Sequence, residues 1–339
     1  MKIALLTPDK FYVRCGSMTY ARILQKCFQE LSIDAEMIYP YHNKDLSGYD
    51  LFLFICIGCV SEYTKSNEKV TNLRFENLDK YYGKKPFIAV IHDIYELSYF
   101  RKSVKYFQEK IFDCIVFVTK SQNVINYVCG VLKSKKHVSI NHPFYFDGQY
   151  LQDKRKYDTA VASAARFTNA KKIHIVMDIA LKSSKKYFLY GNEKGIYWYR
   201  MLSMHGAKNV VKFMGSYVHY LDPYQDCAFG IDLTLFHKHG VFDGMRDQYT
   251  TLEGINCGVI PICFDVWRYP NGFDAVWLDT PKADGRSLQF EIDRYAGAID
   301  TYKYSFDIAQ SNYHLMKEFC DPLNVALQYR KLFQSISGA

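Results

Sequence analysis

Short apolar runs alternate with amphipathic, helix-like stretches along the whole chain, and this alternation restricts the fold more than any other feature. Within the runs, apolar side chains follow one another without the regular polar positions of a half-exposed strand. Buried strands separated by helices are typical of a parallel sheet covered by helices on both faces. The runs span residues 2–7, 51–58, 87–93, 114–119, 137–143, 159–166, 186–192, 209–215, 229–236 and 259–265. The sequence therefore predicts an α/β protein built from two doubly wound halves.

A polar stretch over residues 145–158 separates the two groups of runs and is expected to connect two domains. The length of 339 residues agrees with two domains of ordinary size. We predict a first domain over 1–146, a second over 147–315, and a C-terminal helix over 316–339 that packs back on the first domain. Because ligands of such sheets bind at the carboxyl ends of the strands, we expect the functional site in a cleft between the domains.

The composition favours a soluble, cytoplasmic protein. The most apolar stretch, residues 51–60, is about half as long as a membrane-spanning helix requires. The ten cysteines lie mostly in apolar runs, which is typical of reduced, buried thiols. No Asp-x-Asp motif follows a predicted strand, so no metal is expected, and nothing in the sequence points to a membrane or to a protein partner.

The chain carries a net charge of +8, from 43 Lys and Arg residues against 35 Asp and Glu residues. Short basic clusters lie at Arg101–Lys102, Lys133–Lys136 and Lys154–Lys156. Each cluster by itself is compatible with an ordinary solvated surface. Together they are compatible with a polyanionic partner.

In the first half, a glycine and two polar residues follow predicted strands where a ligand is expected. Gly16 opens the helix predicted after the first run, and amides at a helix start bind phosphate well. A simple turn is the alternative for this glycine. His92 and Asp93 end another run and are available for proton transfer or for orienting a substrate. The alternative is that Asp93 only caps the next helix.

In the second half, cationic residues follow one run and a carboxylate precedes another. Arg166 and Lys171 flank a strand-to-helix turn, from which both can converge on one diphosphate. Gly191 follows the next predicted strand. Glu253 lies on a predicted helix that ends at a glycine corner before the run at 259–265. Glu253 is expected either to hold the hydroxyl groups of a ligand or to be an ordinary exposed helix residue.

The order of these residues resembles the retaining glycosyltransferases of the GT-B fold, family 4 type, over nearly the whole chain. In that family, a strand is followed by Arg and Lys, the next strand by Gly-Asn or Gly-Asp, and an acid-bearing helix ends at Gly-x-Pro. The chain departs from the family at Met245, where a further acid is usual, so the role of that acid is open although Asp243 and Asp247 flank the position. The matching segments are Ala165–Lys171, Tyr190–Asn192, Val211–Gly215 and Glu253–Pro261.

Within that class, residues 14–23, 91–102, 165–172 and 248–264 are similar to the bacteriophage DNA α-glucosyltransferases, which modify hydroxymethylated cytosines. The resemblance implies two Rossmann-like domains facing a cleft, the first binding the acceptor and the second the nucleotide-sugar. It implies transfer of a sugar, glucose from UDP-glucose, with retention to a hydroxyl of a hydroxymethylpyrimidine base in double-stranded phage DNA. Such a modification protects the DNA from restriction in the host cytoplasm.

The resemblance also assigns roles to individual residues. Asp93, together with His92, would orient or deprotonate the acceptor hydroxyl on a base flipped out of the duplex. Arg166 and Lys171 would neutralise the departing diphosphate, so that no metal or other cofactor is required. The other expected donor-binding residues are Gly16, Gly191, Glu253 and, through the amides at the start of its helix, Thr251 and Leu252. The residues expected to contact DNA phosphates are Arg101, Lys102, Lys133, Lys135 and Lys136.

Two other functions stay open on the sequence alone. A family 4 enzyme that acts on a polysaccharide or a lipid-linked glycan would share the donor site and differ in its acceptor surface. Such enzymes usually carry a basic, amphipathic membrane-docking helix, and none is strong here. The second open function is that of a catalytically inactive GT-B protein that binds nucleic acid. The intact set of Arg166, Lys171 and Glu253 argues against this function.

Overall fold

The computed structural model of the protein forms two compact units, Met1–Tyr145 with Cys320–Ala339 and Phe146–Phe319. Each unit contains its own six-stranded sheet. The structure describes residues 1–7, 16–39, 44–57, 78–94, 97, 107–118, 121–149, 151–153, 155–165, 171–191, 211–215, 222–238, 241–243, 248–266, 270–280 and 291–337.

The sheet of the first unit has the strand order β2-β1-β3-β4-β6-β8, and all its neighbours pair in parallel. Its central strands are buried along their whole length, which explains why they read as unbroken apolar runs. A further parallel pair, β5 and β7, lies outside this sheet. The strands are β1 (Lys2–Leu6), β2 (Asp34–Ile38), β3 (Leu51–Phe54), β4 (Phe87–Ile91), β5 (Ile111–Phe112), β6 (Cys114–Phe117), β7 (Lys133–Ser134) and β8 (His137–Ser139).

The helices of the first unit are α1 (Gly16–Glu30), α2 (Gln122–Val131) and α7 (Pro322–Ser337), with a 3₁₀ turn at Leu78–Tyr81. Helix α7 packs against α1, where the Phe28 ring lies edge-on to the rings of Tyr329 and Phe333. Asp321 accepts a hydrogen bond from the Asn324 amide at 2.7 Å, so α7 begins with a capped first turn at Pro322. Among the described helices, none has the length and apolar character that crossing a membrane requires.

The sheet of the second unit has the strand order β11-β10-β9-β12-β15-β16, and again all its neighbours are parallel. An antiparallel hairpin, β13–β14, stands between β12 and helix α4. The strands are β9 (Tyr157–Ala164), β10 (Tyr187–Tyr190), β11 (Val211–Gly215), β12 (Cys227–Ile231), β13 (Phe236–Lys238), β14 (Val241–Asp243), β15 (Ile260–Phe264) and β16 (Val276–Leu278). The helices are α3 (Ile173–Lys182), α4 (Tyr249–Asn256), α5 (Ile292–Thr301) and α6 (Phe306–Phe319).

The predicted α/β architecture is confirmed, because each predicted apolar run overlaps a strand of one of the two parallel sheets. Among the described residues, six strands had no counterpart in the prediction, namely the separate pair β5 and β7 and four others. Strands β2 and β16 lie at the edges of their sheets, and β13 and β14 form the hairpin before α4. The run predicted at 229–236 ends as a strand at Ile231, residues 232–235 have no regular secondary structure, and Phe236 begins β13.

Candidate functional site

Helix α4 ends at a glycine corner that leads directly into β15. The Gly258 amide donates to the Ile255 carbonyl at 2.9 Å, and the Val259 amide donates to the Gly254 carbonyl at 3.0 Å. These two bonds form a Schellman motif, which needs a left-handed residue after the helix, and Gly258 has φ +75°. A Cβ atom at Gly258 would also lie 2.4 Å from Arg155 Nη2. Both the backbone and the space therefore require glycine here.

The segment before β9, together with Tyr304, fixes the C-terminal end of α4. The Arg155 guanidinium donates to the carbonyl of Cys257, and Tyr304 Oη donates to the carbonyl of Gly258 at 3.2 Å. The buried Asn256 side chain donates to Asp147 Oδ1 at 2.8 Å and accepts from the Gly148 amide at 3.1 Å. With its last turn held on several sides, α4 is a rigid support for the side chains of its first turns.

The beginning of α4 carries polar atoms that are buried and have no hydrogen-bond partner among the described residues. They are Nε2 of Gln248, Oγ1 of Thr251 and Oε2 of Glu253. Burial raises the pKa of Glu253 to about 8, against the opposing effect of the Lys171 charge. Leaving such groups unpaired is costly in a folded protein. The arrangement is suited to a ligand that brings hydroxyl groups and hydrogen-bond acceptors to this helix.

The amides of Thr251 and Leu252 do not offer the donors that the sequence predicted. Both donate to the Gln248 carbonyl, at 2.9 and 3.0 Å. The reason is that α4 begins at Tyr249, so these two amides already belong to its first internal hydrogen bonds. Thr251 still presents its hydroxyl group, whereas Leu252 is fully buried in the core.

Lys171 lies between two acceptors from other elements. Its Nζ donates to Gln248 Oε1 at 2.6 Å and lies 3.4 Å from Asp232 Oδ2. The Lys171 side chain is 15% exposed and that of Asp232 is 9% exposed, so the ion pair is shielded from solvent. The structure thus places a cation beside the unpaired atoms of α4.

Asp232, which sequence reasoning missed, organises this cluster. It directly follows β12, and its Oδ1 accepts from the Thr234 amide at 2.9 Å and from the Thr234 hydroxyl. Its Oδ2 accepts from Thr250 Oγ1 at 2.8 Å in addition to Lys171. The available signal was a single acid inside the apolar run 229–236, at the point where the strand stops.

Of the other residues predicted for the donor side, Gly191 lies at a strand end. Gly191 follows β10, whose last residue, Tyr190, pairs with the end of β9. Lys172, which follows Lys171, has φ 51° and directly precedes α3. Burial lowers the pKa of the Lys172 ammonium group. Arg166 lies outside the described residues, as does Met245. In the described ranges, no group of three or more His, Cys, Asp or Glu side chains could hold a metal ion.

In the first unit, Gly16 is the first residue of α1, as predicted. His92 is buried, and its Nε2 lies 2.8 Å from the Ile55 carbonyl, so this nitrogen carries a proton that it donates. The His92 ring also packs against Tyr20, with ring centroids 4.9 Å apart. Asp93 follows it and is partly buried. These contacts hold the chain just after β4 and place Asp93 at the carboxyl end of the sheet.

The basic residues predicted for DNA differ in their surroundings. Lys133 is exposed on β7. Lys135 forms an ion pair with Asp113 at 2.6 Å, and Lys136 Nζ donates to Ser335 Oγ at 2.6 Å. Arg101 and Lys102 lie outside the described residues. Among the three described lysines, Lys133 is therefore the best placed to meet a phosphate.

No protein-family model matches the sequence. No curated protein sequence matches it significantly. Solved structures do match, among them Anabaena Alr3699/HepE in complex with UDP and glucose, with 12% identity, a TM-score of 0.68, and coverage of 99% of this chain and 100% of that chain. An α-glucosyltransferase (AGT) in complex with UDP has 12% identity, a TM-score of 0.61 and the same coverage.

The pneumococcal O-GlcNAc transferase GtfA in complex with UDP and GlcNAc is a more partial match. It has 15% identity and a TM-score of 0.54, with 75% of this chain and 53% of that chain covered. At such identities, the likeness concerns the fold. The two parallel sheets, and the match along the full length of the first two structures, show that the chain has the GT-B fold.

Proposed function

We propose that the protein is a retaining, nucleotide-sugar-dependent hexosyltransferase whose donor is a UDP-sugar. UDP-glucose is the first candidate for this donor. One observation carries this proposal. Oε2 of Glu253 is buried and has no hydrogen-bond partner among the described residues, and it lies within the influence of the Lys171 charge. A nucleotide-sugar would bring hydroxyl groups to the Glu253 side chain and a diphosphate to the Lys171 ammonium. The fold supports the proposal, since the matching structures of HepE and of the α-glucosyltransferase contain UDP or UDP-glucose.

The donor site would act mainly through electrostatics. Negative charge grows on the diphosphate as it leaves, and a preorganised ammonium group stabilises that charge. Lys171 is preorganised, because Asp232 and Gln248 hold its Nζ from two sides. In this proposal Arg166 adds a second cation and Gly191 leaves room for the donor, and no metal or cofactor takes part.

For the acceptor, we propose a hydroxyl of a hydroxymethylpyrimidine, such as hydroxymethylcytosine, in double-stranded phage DNA. The support is the sequence similarity of residues 91–102 and 248–264 to bacteriophage DNA α-glucosyltransferases. The base would be flipped out of the duplex towards Asp93, and His92 would keep Asp93 in place. Basic residues, chiefly Lys133, would contact the phosphates of the DNA. Such a protein would work in the cytoplasm of the infected cell and help the DNA to evade restriction.

A polysaccharide or lipid-linked glycan acceptor is the second candidate. One observation supports it: a matching structure of S. aureus TarM contains fondaparinux and α-GlcNAc-glycerol together with UDP. This candidate uses the same donor site and differs only in the acceptor.

The test is a transfer assay with labelled UDP-glucose, UDP-GlcNAc and other nucleotide-sugars. The acceptors are hydroxymethylated duplex DNA, the same duplex without hydroxymethyl groups, and a panel of glycans. We expect label on the hydroxymethylated duplex alone, in an alkali-stable glycoside whose anomeric configuration is α by NMR. Label on a glycan with none on DNA would replace the DNA acceptor by the second candidate. Failure to bind or use any nucleotide-sugar would refute the donor proposal itself.

A further inference from the structure

The side chain of Gln248, just before α4, has a fixed orientation. Its Oε1 accepts a hydrogen bond from Lys171 Nζ at 2.6 Å. An ammonium group only donates hydrogen bonds, so the atom that faces it must be the amide oxygen. The Nε2 group, with its two N–H donors, therefore points away from Lys171.

Among the described residues, this Nε2 group has a poor environment. It is buried and has no hydrogen-bond partner among the described residues. A buried NH2 group without a partner loses its hydration and gains nothing in return. Lys171 uses only the oxygen of this amide, so the Nε2 group points to a use that the described part of the chain does not show.

The neighbouring atoms indicate what that use is. On the same helix, Thr251 Oγ1 and Glu253 Oε2 are also buried without a partner in the described part of the chain. Lys171 completes the group on the other side. Acceptor atoms of a bound anion would satisfy the Gln248 donors and the Lys171 ammonium together.

We propose that Gln248 is a donor-binding residue whose Nε2 donates to a diphosphate oxygen of the nucleotide-sugar, next to Lys171. This inference rests on the proposed function of the site. The diphosphate is favoured over the sugar because the same amide contacts the lysine that faces the departing diphosphate. Glutamine suits the position because its oxygen holds Lys171 while its Nε2 group offers donors to an anion, and because it adds no second negative charge beside the ion pair with Asp232.

The test compares Gln248→Met with Gln152→Met by calorimetric titration of UDP and of UDP-glucose. Gln152 lies on an exposed part of the same unit, where its Nε2 donates to the Gln225 carbonyl at 3.3 Å, so it is a matched control. We expect Gln248→Met to weaken both ligands about 10-fold or more. Its melting temperature should be measured beside the affinities to show that the variant is folded, because the substitution removes the contact from Lys171 Nζ together with the Nε2 group. Gln152→Met should bind as the wild type does.

The same substitution in a Lys171→Met background separates a direct contact from an effect through the lysine. A direct contact predicts a further loss of affinity for UDP in the double variant. No further loss, or wild-type affinity in Gln248→Met, would overturn the inference. A loss confined to UDP-glucose would overturn the diphosphate assignment. If Gln248→Met fails to fold, Gln248→Asn, which keeps the amide but shortens its reach, gives the same comparison, and unchanged affinity there also overturns it. A wild type that binds neither ligand would instead refute the proposed function.

Discussion

His92 in the first unit and the first turns of α4 in the second differ in how their buried polar groups are bonded. In the first unit, His92 donates to the Ile55 carbonyl and packs against the rings of Tyr20 and His142. In the second unit, the first turns of α4 present buried polar atoms that have no partner among the described residues. His92 directly follows β4, and the first turn of α4 contacts Asp232, which directly follows β12, so position at a strand end alone does not separate the two places.

This difference distinguishes polar residues that stabilise the fold from polar residues that are available to bind a ligand. A buried group with its hydrogen bond made stabilises the protein, and its removal costs stability. A buried group without a partner lowers stability and is retained for another reason. On this basis His92 supports its neighbour Asp93, whereas Glu253 and Gln248 are available to a ligand. The following predictions test that division.

The largest effect is expected at Asp93. If this carboxylate deprotonates the acceptor, Asp93→Asn should lower turnover about 100-fold or more, while DNA affinity stays close to that of the wild type. His92→Gln should mainly lower the melting temperature. Turnover and duplex binding should be measured for both variants on hydroxymethylated DNA at two salt concentrations. Normal turnover in Asp93→Asn would show that it only caps a helix, and salt-insensitive binding would argue against phosphate contacts.

The next effect is expected at Lys171. Lys171→Ala should lower turnover about 100-fold, because the growing charge of the diphosphate loses a preorganised cation. Lys182→Ala is the control, since Lys182 forms an exposed ion pair with Asp293 on the same unit. Steady-state kinetics on UDP-glucose would measure both. Near-normal turnover in Lys171→Ala would remove this turn from the donor site.

A smaller effect is expected at Asp232, which touches Lys171 rather than the ligand. Asp232→Asn should keep the contact to Thr250 but weaken the hold on the ammonium, and lower kcat/KM roughly 10-fold. The loss should grow towards higher salt, because a less well-held cation is screened more easily. Asp226→Asn, at an exposed pair with Lys156, is the control. If kcat/KM falls equally in both variants, Asp232 has no special role.

Burial of Glu253 should also be visible in the pH dependence of stability. Burial raises the pKa of Glu253 to about 8, so the folded state binds one proton more than the unfolded state between about pH 4 and about pH 8. Stability from this group is complete at low pH and is lost as pH rises through 8. Glu253→Gln should therefore flatten the fall in melting temperature across this range, whereas the exposed Glu318→Gln should not. Parallel curves for wild type and Glu253→Gln would mean that Glu253 is not protonated in the fold.

The smallest effect is expected from chelation. EDTA should leave turnover unchanged, because the proposed site neutralises the diphosphate with Lys171 and Arg166. The assay is the same transfer reaction with and without EDTA. Loss of turnover that a divalent cation restores would show that a metal takes part.

The sheets could be predicted because buried parallel strands read as continuous apolar runs, as at Leu51–Phe54. Edge strands carry a weaker signal. Strand β2 mixes exposed and buried positions, and β16 has 3 residues. Glu253 could be found because an acid before a glycine corner stands out, whereas Asp232 lies inside an apolar run and Gln248 has no distinctive spacing. Their roles depend on contacts with Lys171, 61 and 77 residues away in the chain, which no local pattern records.

The most direct test of the central claim is a calorimetric titration of UDP-glucose into the wild type and into Glu253→Ala. If the unpaired atoms of α4 are kept for a nucleotide-sugar, the wild type binds it, and Glu253→Ala loses affinity about 10-fold or more while its melting temperature at pH 8 is unchanged or higher. Equal affinity in the two proteins, or no binding by the wild type, would contradict the claim.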